Sequence, residues 1–308
     1  MVFYNHYYNN KNIYDNMAAL IDTVFENKKP THEIRISHME KQLHKGQDYI
    51  TSGDNYIWGF DGHSGNPIID EIRGLNLNSF IGTNEPIVSL SDYLNNNVKI
   101  PSYMSSGSTS FLVEKKDDEI VLEWVGDSQM AVFEKKENET DYKMIFISEP
   151  DKWDKPGEEQ RLTTMNPQIY ASPSKDISIV SPDTIEMIDT YYINFPSGLQ
   201  LATSQALGHH GQTGCVPNKK IIPIVEGTTY RVVSGSDGFW QLVLTDNIDD
   251  LNVLTTKPCE ELLALSVNRW NSNQWKYFKN GPHNKPIISG FGNCKDDVCV
   301  GVMDIVPV

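Results

Sequence analysis

The run Tyr56-Ile57-Trp58-Gly59-Phe60-Asp61-Gly62-His63-Ser64-Gly65 decides how the rest of this chain is read. Bulky strand-forming residues continue to Phe60 and stop at an Asp-Gly pair, which sets a carboxylate at a strand tip where glycine lets the backbone approach a ligand closely. That geometry suits a metal site, although Asp-Gly alone reads equally well as a hairpin turn. Recurrence gives it weight. Tyr230, Arg231, Val232 and Val233 lead through Ser234-Gly235-Ser236 to Asp237-Gly238, Asp296-Asp297 precedes the mostly apolar run 298–303, and Gln47-Asp48-Tyr49-Ile50 lies one hairpin's length before Asp61. Carboxylates brought together repel unless cations neutralise them, and an all-oxygen site suits hard ions such as magnesium or manganese rather than zinc.

The bulk properties are those of a globular protein. The 308 residues are 39% hydrophobic, 10% aromatic and 22% charged, which supplies a core and does not indicate disorder. A formal net charge of −15 argues against a nucleic-acid surface, where clustered Lys and Arg neutralise phosphates. The amino-terminal residues show no basic segment followed by an apolar stretch, and runs such as 221–225 are too short to span a bilayer. A soluble, intracellular and cytoplasmic protein with no membrane contact is expected. The four cysteines, Cys215, Cys259, Cys294 and Cys299, are too scattered for a disulfide framework. Cys294 and Cys299 have no second Cys/His pair to complete a metal site and read as free thiols.

Along the chain, residues 1–12 are rich in Asn and Tyr and read as a loose arm, with 13–308 a single domain. Met17, Leu20, Ile21, Val24 and Phe25 recur at helical spacing. Strand-like segments fill 33–60, and helical spacing returns around Ile68, Ile69, Ile72 and 90–94. The segments 111–113, 120–125, 130–133 and 144–147 read as an antiparallel meander. Residues 151–200, with Trp153 and several prolines but no clear period, read as a flap or surface excursion. Pro258 and Glu260 open a helix carrying Leu262, Leu263, Leu265 and Val267, and 268–290 reads as an inserted loop before a last strand. Strands grouped with strands and helices with helices indicate an α+β fold.

The ordered set of motifs resembles the metal-dependent serine/threonine protein phosphatases called type 2C. It comprises Gln47-Asp48, Asp61-Gly62-His63-Ser64-Gly65, Gly107-Ser108-Thr109, Val125-Gly126-Asp127-Ser128 and Asp154-Lys155-Pro156 with Glu159 and Arg161 behind it. The stretch from Ala202 to Gly208 around Ala206-Leu207-Gly208, Ser236-Asp237-Gly238 and Asp296-Asp297-Val298-Cys299-Val300 complete it, over roughly 33–306. The resemblance implies a four-layer αββα sandwich, two central antiparallel sheets flanked by helices. It implies two Mn2+ or Mg2+ ions, with Asp61 bridging, the Gly62 carbonyl contacting one ion, Asp237 and Asp296 holding the other and Asp48 acting through water. Asp127, with Asp237, matches a third, weaker position. In such a centre a metal-activated hydroxide attacks phosphorus directly. His63 matches the residue that protonates the departing serine or threonine oxygen, a task for a group titrating near neutrality, though it also reads as a turn histidine. The substrate implied is a phosphoprotein; oligomeric state is not indicated.

Departures from the pattern set limits. Gln47 stands where the family has an acid, and Asp297 where it has asparagine. Gln129, Gln205 and His209 replace two arginines and an aspartate at supporting positions. The arginine that holds the substrate phosphate is missing, leaving Lys45, otherwise a solvated lysine, or Arg35 on a different strand path. Three readings follow: an active phosphatase, a pseudophosphatase that holds a phosphoprotein or partner without turnover, and a metal hydrolase of unrelated fold reached by convergence.

Overall fold

The computed structural model describes residues 32–99, 105–278 and 285–308. The arm at 1–12 and the helix expected from Met17 to Phe25 lie outside these.

Two antiparallel sheets stack face to face. One orders its strands His32–Lys41, Val298–Pro307, Thr228–Gly235, Gln129–Lys136 and Lys143–Ile147. The other runs Leu207–Gly208, Gly107–Ser108, Tyr56–His63, Ser110–Lys116, Glu119–Val125 and Asn218–Pro223, with Asp48–Ser52 also paired to Tyr56–His63. Helices Pro67–Gly74 and Pro86–Asn97 cover the second sheet, and Ile248–Thr256 and Cys259–Asn271 cover the first. The result is the four-layer αββα sandwich.

Side chains on a strand alternate between faces, so a strand buried on both sides must be apolar on both. Val232, Val132, Cys299 and Met303 enter the layer between the sheets, where they meet Ile57, Phe111, Val113 and Leu122. Their neighbours Val233, Ala131, Phe133, Val300 and Val302 point the other way, onto Leu254, Leu262 and Trp270 of the helices. On the far side Trp58, Phe60 and Leu112 pack with Ile68, Ile69, Ile72, Leu90 and Leu94. Each fully buried side chain of this size contributes about 1.5–3 kcal/mol. Proline opens Pro67–Gly74 and Pro86–Asn97, where the missing N–H costs nothing. Asn247 caps Ile248–Thr256 by accepting from the Asp249 and Asp250 amides.

Residues 151–200 are more regular than their composition suggests. They hold the helix Glu158–Met165 and a long hairpin, Tyr170–Ser181 with Thr184–Asn194, closed at Pro182-Asp183. The residues around 268–290 are not simply a loop. The preceding helix continues to Asn271, Trp275–Tyr277 pairs parallel to the hairpin strand at Thr184 and Ile185, and Ile287–Ser289 adds to its other side. Trp275 is buried, donating from Nε1 to the Arg269 carbonyl at 2.9 Å, and packs with Ile179 from the hairpin tip and Phe291. The flap is thereby pinned at its tip. A third small sheet forms because each edge offers unpaired backbone groups that the other satisfies.

Candidate metal centre

The sandwich brings its acidic strand ends to one place. Asp48 opens Asp48–Ser52 and stands directly opposite Asp61 in the antiparallel register with Tyr56–His63. Cross-strand neighbours lie roughly 4.5–5.5 Å apart at Cβ, so the ladder itself sets two like charges against each other. On the facing sheet Thr228–Gly235 and Val298–Pro307 are paired with Gly235 opposite Val300. Asp237, the first residue of the helical turn Asp237–Trp240, and Asp296, just before its strand, therefore share one end of that sheet. Asp127 sits in the link from Glu119–Val125 of one sheet to Gln129–Lys136 of the other.

Close backbone packing holds these positions. Gly62 donates to the Gln47 carbonyl at 3.0 Å, and a Cβ there would stand 2.3 Å from Ile69 Cγ1. At Gly238 a Cβ would meet the Asp297 carbonyl oxygen at 2.0 Å. Gly126 has φ +99°, which L side chains avoid, and abuts Thr109, whose hydroxyl meets that of Ser128 at 2.7 Å.

A cleft of about 530 Å³ is lined by Asp61, Gly62, His63, Asp127, Asp237, Asp296 and Lys45, with Lys175, Met187 and Tyr192 of the flap hairpin on its outer side. Asp48 lies buried behind Asp61. Burial, reinforced by Asp237, Asp296 and Asp297, raises the Asp48 pKa well above the usual carboxylate range. Asp61 is raised by burial and then by Asp237, Asp48 and Asp296. Burial and Asp237 push Asp296 up to about 6 against the opposing pull of Lys45, burial and Asp127 raise Asp237, and burial raises Asp127. Neither carboxylate oxygen of Asp48, nor Asp237 Oδ1, has a hydrogen-bond partner. Buried charges without partners are costly, and hard oxygen-ligated cations such as Mg2+ or Mn2+ fit this donor set. Among the described residues no three His, Cys, Asp or Glu side chains are already grouped around a single ion position.

Of the two phosphate-binding candidates, Lys45 reaches the cleft and Arg35 does not. Arg35 is on His32–Lys41 in register with Asp304, far along the strand from the Val298 end, and its exposed guanidinium pairs with Glu33. Lys45 Nζ donates to Asp296 Oδ2 at 2.8 Å. Burial alone would lower the Lys45 pKa, but Asp296, then Asp237 and Asp61, outweigh it and hold it above its usual value.

His63 also lines the cleft. Desolvation, with a smaller effect of Lys45 and against a hydrogen bond to the Asp61 backbone, pushes its pKa down to about 4, and its Nε2 is unpartnered. Its ring packs on His209, with centroids 4.7 Å apart. His209 is buried, meets Ser105 Oγ through Nδ1 at 2.8 Å, and lies against Gly107. That shelf beneath His63 has no signature in the sequence beyond the replaced aspartate.

Asp297 is committed to backbone amides rather than to the cleft. Its Oδ1 accepts from the amides of Leu43, His44 and Lys45 at 2.7, 2.9 and 3.2 Å, and its Oδ2 from Gln47 at 2.9 Å. Burial opposes this, yet the four bonds hold its pKa below the usual value. Gln205 is likewise structural, donating to Glu158 and accepting from the Val216 amide.

Comparison with solved structures agrees with this architecture. The serine-threonine phosphatase 2C from Toxoplasma gondii superposes with a TM-score of 0.54 at 12% identity, over 90% of this chain and 96% of that one. The chain has the type 2C phosphatase fold. Two further structures of this fold are similar. The Mycobacterium tuberculosis serine/threonine phosphatase PstP/Ppp has a TM-score of 0.51 at 13% identity, covering 88% of this chain and 98% of its own. The catalytic domain of PstP in complex with two manganese ions has 0.50 at 15%, covering 90% and 100%. No family model and no curated protein matches the chain. No helix among the described residues is long and apolar enough to cross a membrane.

Proposed function

We propose that this protein is a metal-dependent phosphatase that hydrolyses phosphoserine and phosphothreonine in proteins. The observation that carries the reading is the convergence of Asp61, Asp127, Asp237 and Asp296 on one cleft between two facing sheets, with Asp48 buried behind Asp61 and carboxylate oxygens of Asp48 and Asp237 buried without hydrogen-bond partners. A pure binding module has no need of so much uncompensated buried charge.

Asp61, Asp237 and Asp296 would hold the ions, with the Gly62 carbonyl beside them, Asp48 buried behind Asp61, and Asp127 beside Asp237. Two hard cations, when bound, would supply an activated water and stabilise the charge that develops on the phosphoryl oxygens. The chain's own groups do the rest. Lys45 brings a positive charge to the cleft for the phosphate. His63 lines the cleft with its ring held against His209 and its Nε2 unpartnered, the place from which a protonated imidazole would donate to the departing oxygen. The flap residues Met187 and Tyr192 give the cleft an apolar outer wall for the side chains flanking a phosphosite.

Hydrolysis of p-nitrophenyl phosphate and a phosphothreonine peptide, with Mn2+ and with chelator, tests the reading in wild type and Asp237→Asn. Mn2+-dependent turnover lost in the folded variant is expected. A folded wild type inactive with Mn2+ and Mg2+ across pH overturns it in favour of a binding role.

A further inference from the structure

Asp296 Oδ2 already has a cation on it. Lys45 Nζ sits 2.8 Å away, and the Asp296 side chain is largely buried while that of Lys45 is half exposed. The lysine is placed there by its backbone. Asp297, the very next residue, gathers the amides of Leu43, His44, Lys45 and Gln47 on one carboxylate, so the loop carrying Lys45 is tied to the strand end carrying Asp296. The same ammonium also feels Asp61 and Asp237.

A hard divalent ion takes a carboxylate oxygen at about 2.0–2.2 Å, well inside the distance of an ammonium hydrogen bond. An ion and an ammonium on one oxygen would be a few ångströms apart in a half-buried site, where like charges repel strongly. We propose that Lys45 is an internal counter-cation: it neutralises Asp296 and must leave that oxygen when a divalent ion binds there, so metal affinity is set by competition with the chain's own lysine. This rests on the metal-dependent reading of the centre. The displaced ammonium keeps its pinned backbone and its place in the cleft, and a phosphate is the anion left for it to meet.

Calorimetric titration of Mn2+ into wild type, Lys45→Gln and Lys45→Arg, without substrate, tests the competition. Lys45→Gln is expected to bind about tenfold more tightly than wild type, a difference of about 1.4 kcal/mol, whereas Lys45→Arg, which keeps the charge, gains nothing. Equal or weaker binding by Lys45→Gln, with wild type binding, overturns the inference and leaves the metal centre standing. No binding to either protein overturns both. A second readout needs no variant: acylation of Lys45 in wild type, followed by mass spectrometry with exposed Lys41 as reference, should rise several-fold on saturation with Mn2+. Unchanged or reduced labelling in the Mn2+-bound protein also overturns it.

Discussion

Replacing Glu158 by glutamine should destabilise the protein by about 3 kcal/mol at pH 7, the lower end of the cost of breaking a buried ion pair. Glu158 heads the helix at the root of the flap. Its carboxylate accepts from Arg161 Nε at 3.0 Å and Nη2 at 2.8 Å, from Ser204 Oγ at 2.5 Å and from Gln205 Nε2 at 3.1 Å. Arg161 goes on to the carbonyls of Ser204 and Thr213, each at 2.8 Å. The side chains are 9% and 18% exposed, so solvent screens little of the pair. The amide keeps the shape and one acceptor but strips the charge that Arg161 faces. At roughly 2 °C per kcal/mol for a chain of this size, the melting temperature should fall by about 6 °C. Burial alone would raise the Glu158 pKa, but Arg161 and Ser204 outweigh it and hold it below 4.5. Its contribution is therefore fully present above that value and is lost as pH falls through the lower folded one, so the gap between wild type and Glu158→Gln should close on acidification. Urea unfolding followed by tryptophan fluorescence at neutral and acidic pH measures the gap. A difference below about 1 kcal/mol at pH 7, or one that persists under acid, refutes the assignment of the energy to a charged pair.

Two other substitutions probe the centre. Gly238→Ala drives a Cβ to within 2.0 Å of the Asp297 carbonyl oxygen and 3.2 Å of Asp296 Cβ. Because the first obstacle is backbone, a loss of about 3 kcal/mol is expected together with weaker Mn2+ binding, and an unchanged melting temperature would contradict it. Asp48→Asn removes a buried charge placed opposite Asp61, so in chelator it should stabilise the protein by about 1 kcal/mol while weakening Mn2+ binding. Lower stability in chelator would show that Asp48 is compensated by a group other than a cation.

The four layers were legible because their signal is local. Runs such as 298–303 are apolar on both faces apart from Gly301, which is what two buried faces demand, and the carboxylates stand at the ends of those runs. The flap hairpin was harder. Ile177 and Ile179 alternate before Pro182-Asp183, and Ile185 and Met187 after it, but Lys175, Asp176, Glu186 and Asp189 between them lower the contrast because most of the hairpin faces water. Its pairing with Trp275–Tyr277 is a parallel contact across some 90 residues, as Thr184 opposite Lys276 shows, and no local pattern encodes it. The carboxylates could be named without their geometry, whereas Asp296 and Asp297 could not be told apart by composition. One faces the cleft and the other turns back to cap a loop. The low pKa of His63 comes from burial, and no spacing rule predicts burial at a turn.

The joined flap and insert carry a consequence for the history of the chain. Trp275 packs with Ile179 and Phe291, and the hairpin is held both by Trp275–Tyr277 beside its tip and by Gln241, which donates to Asp176 and to the Ile177 carbonyl. Shortening either segment alone would strip a tryptophan of part of its cover or leave the tip of a long ribbon without its parallel neighbour. The two should therefore be gained, lost and lengthened together among descendants of a common ancestor. A graft of this flap onto another scaffold would carry its own lock only if both pieces travelled.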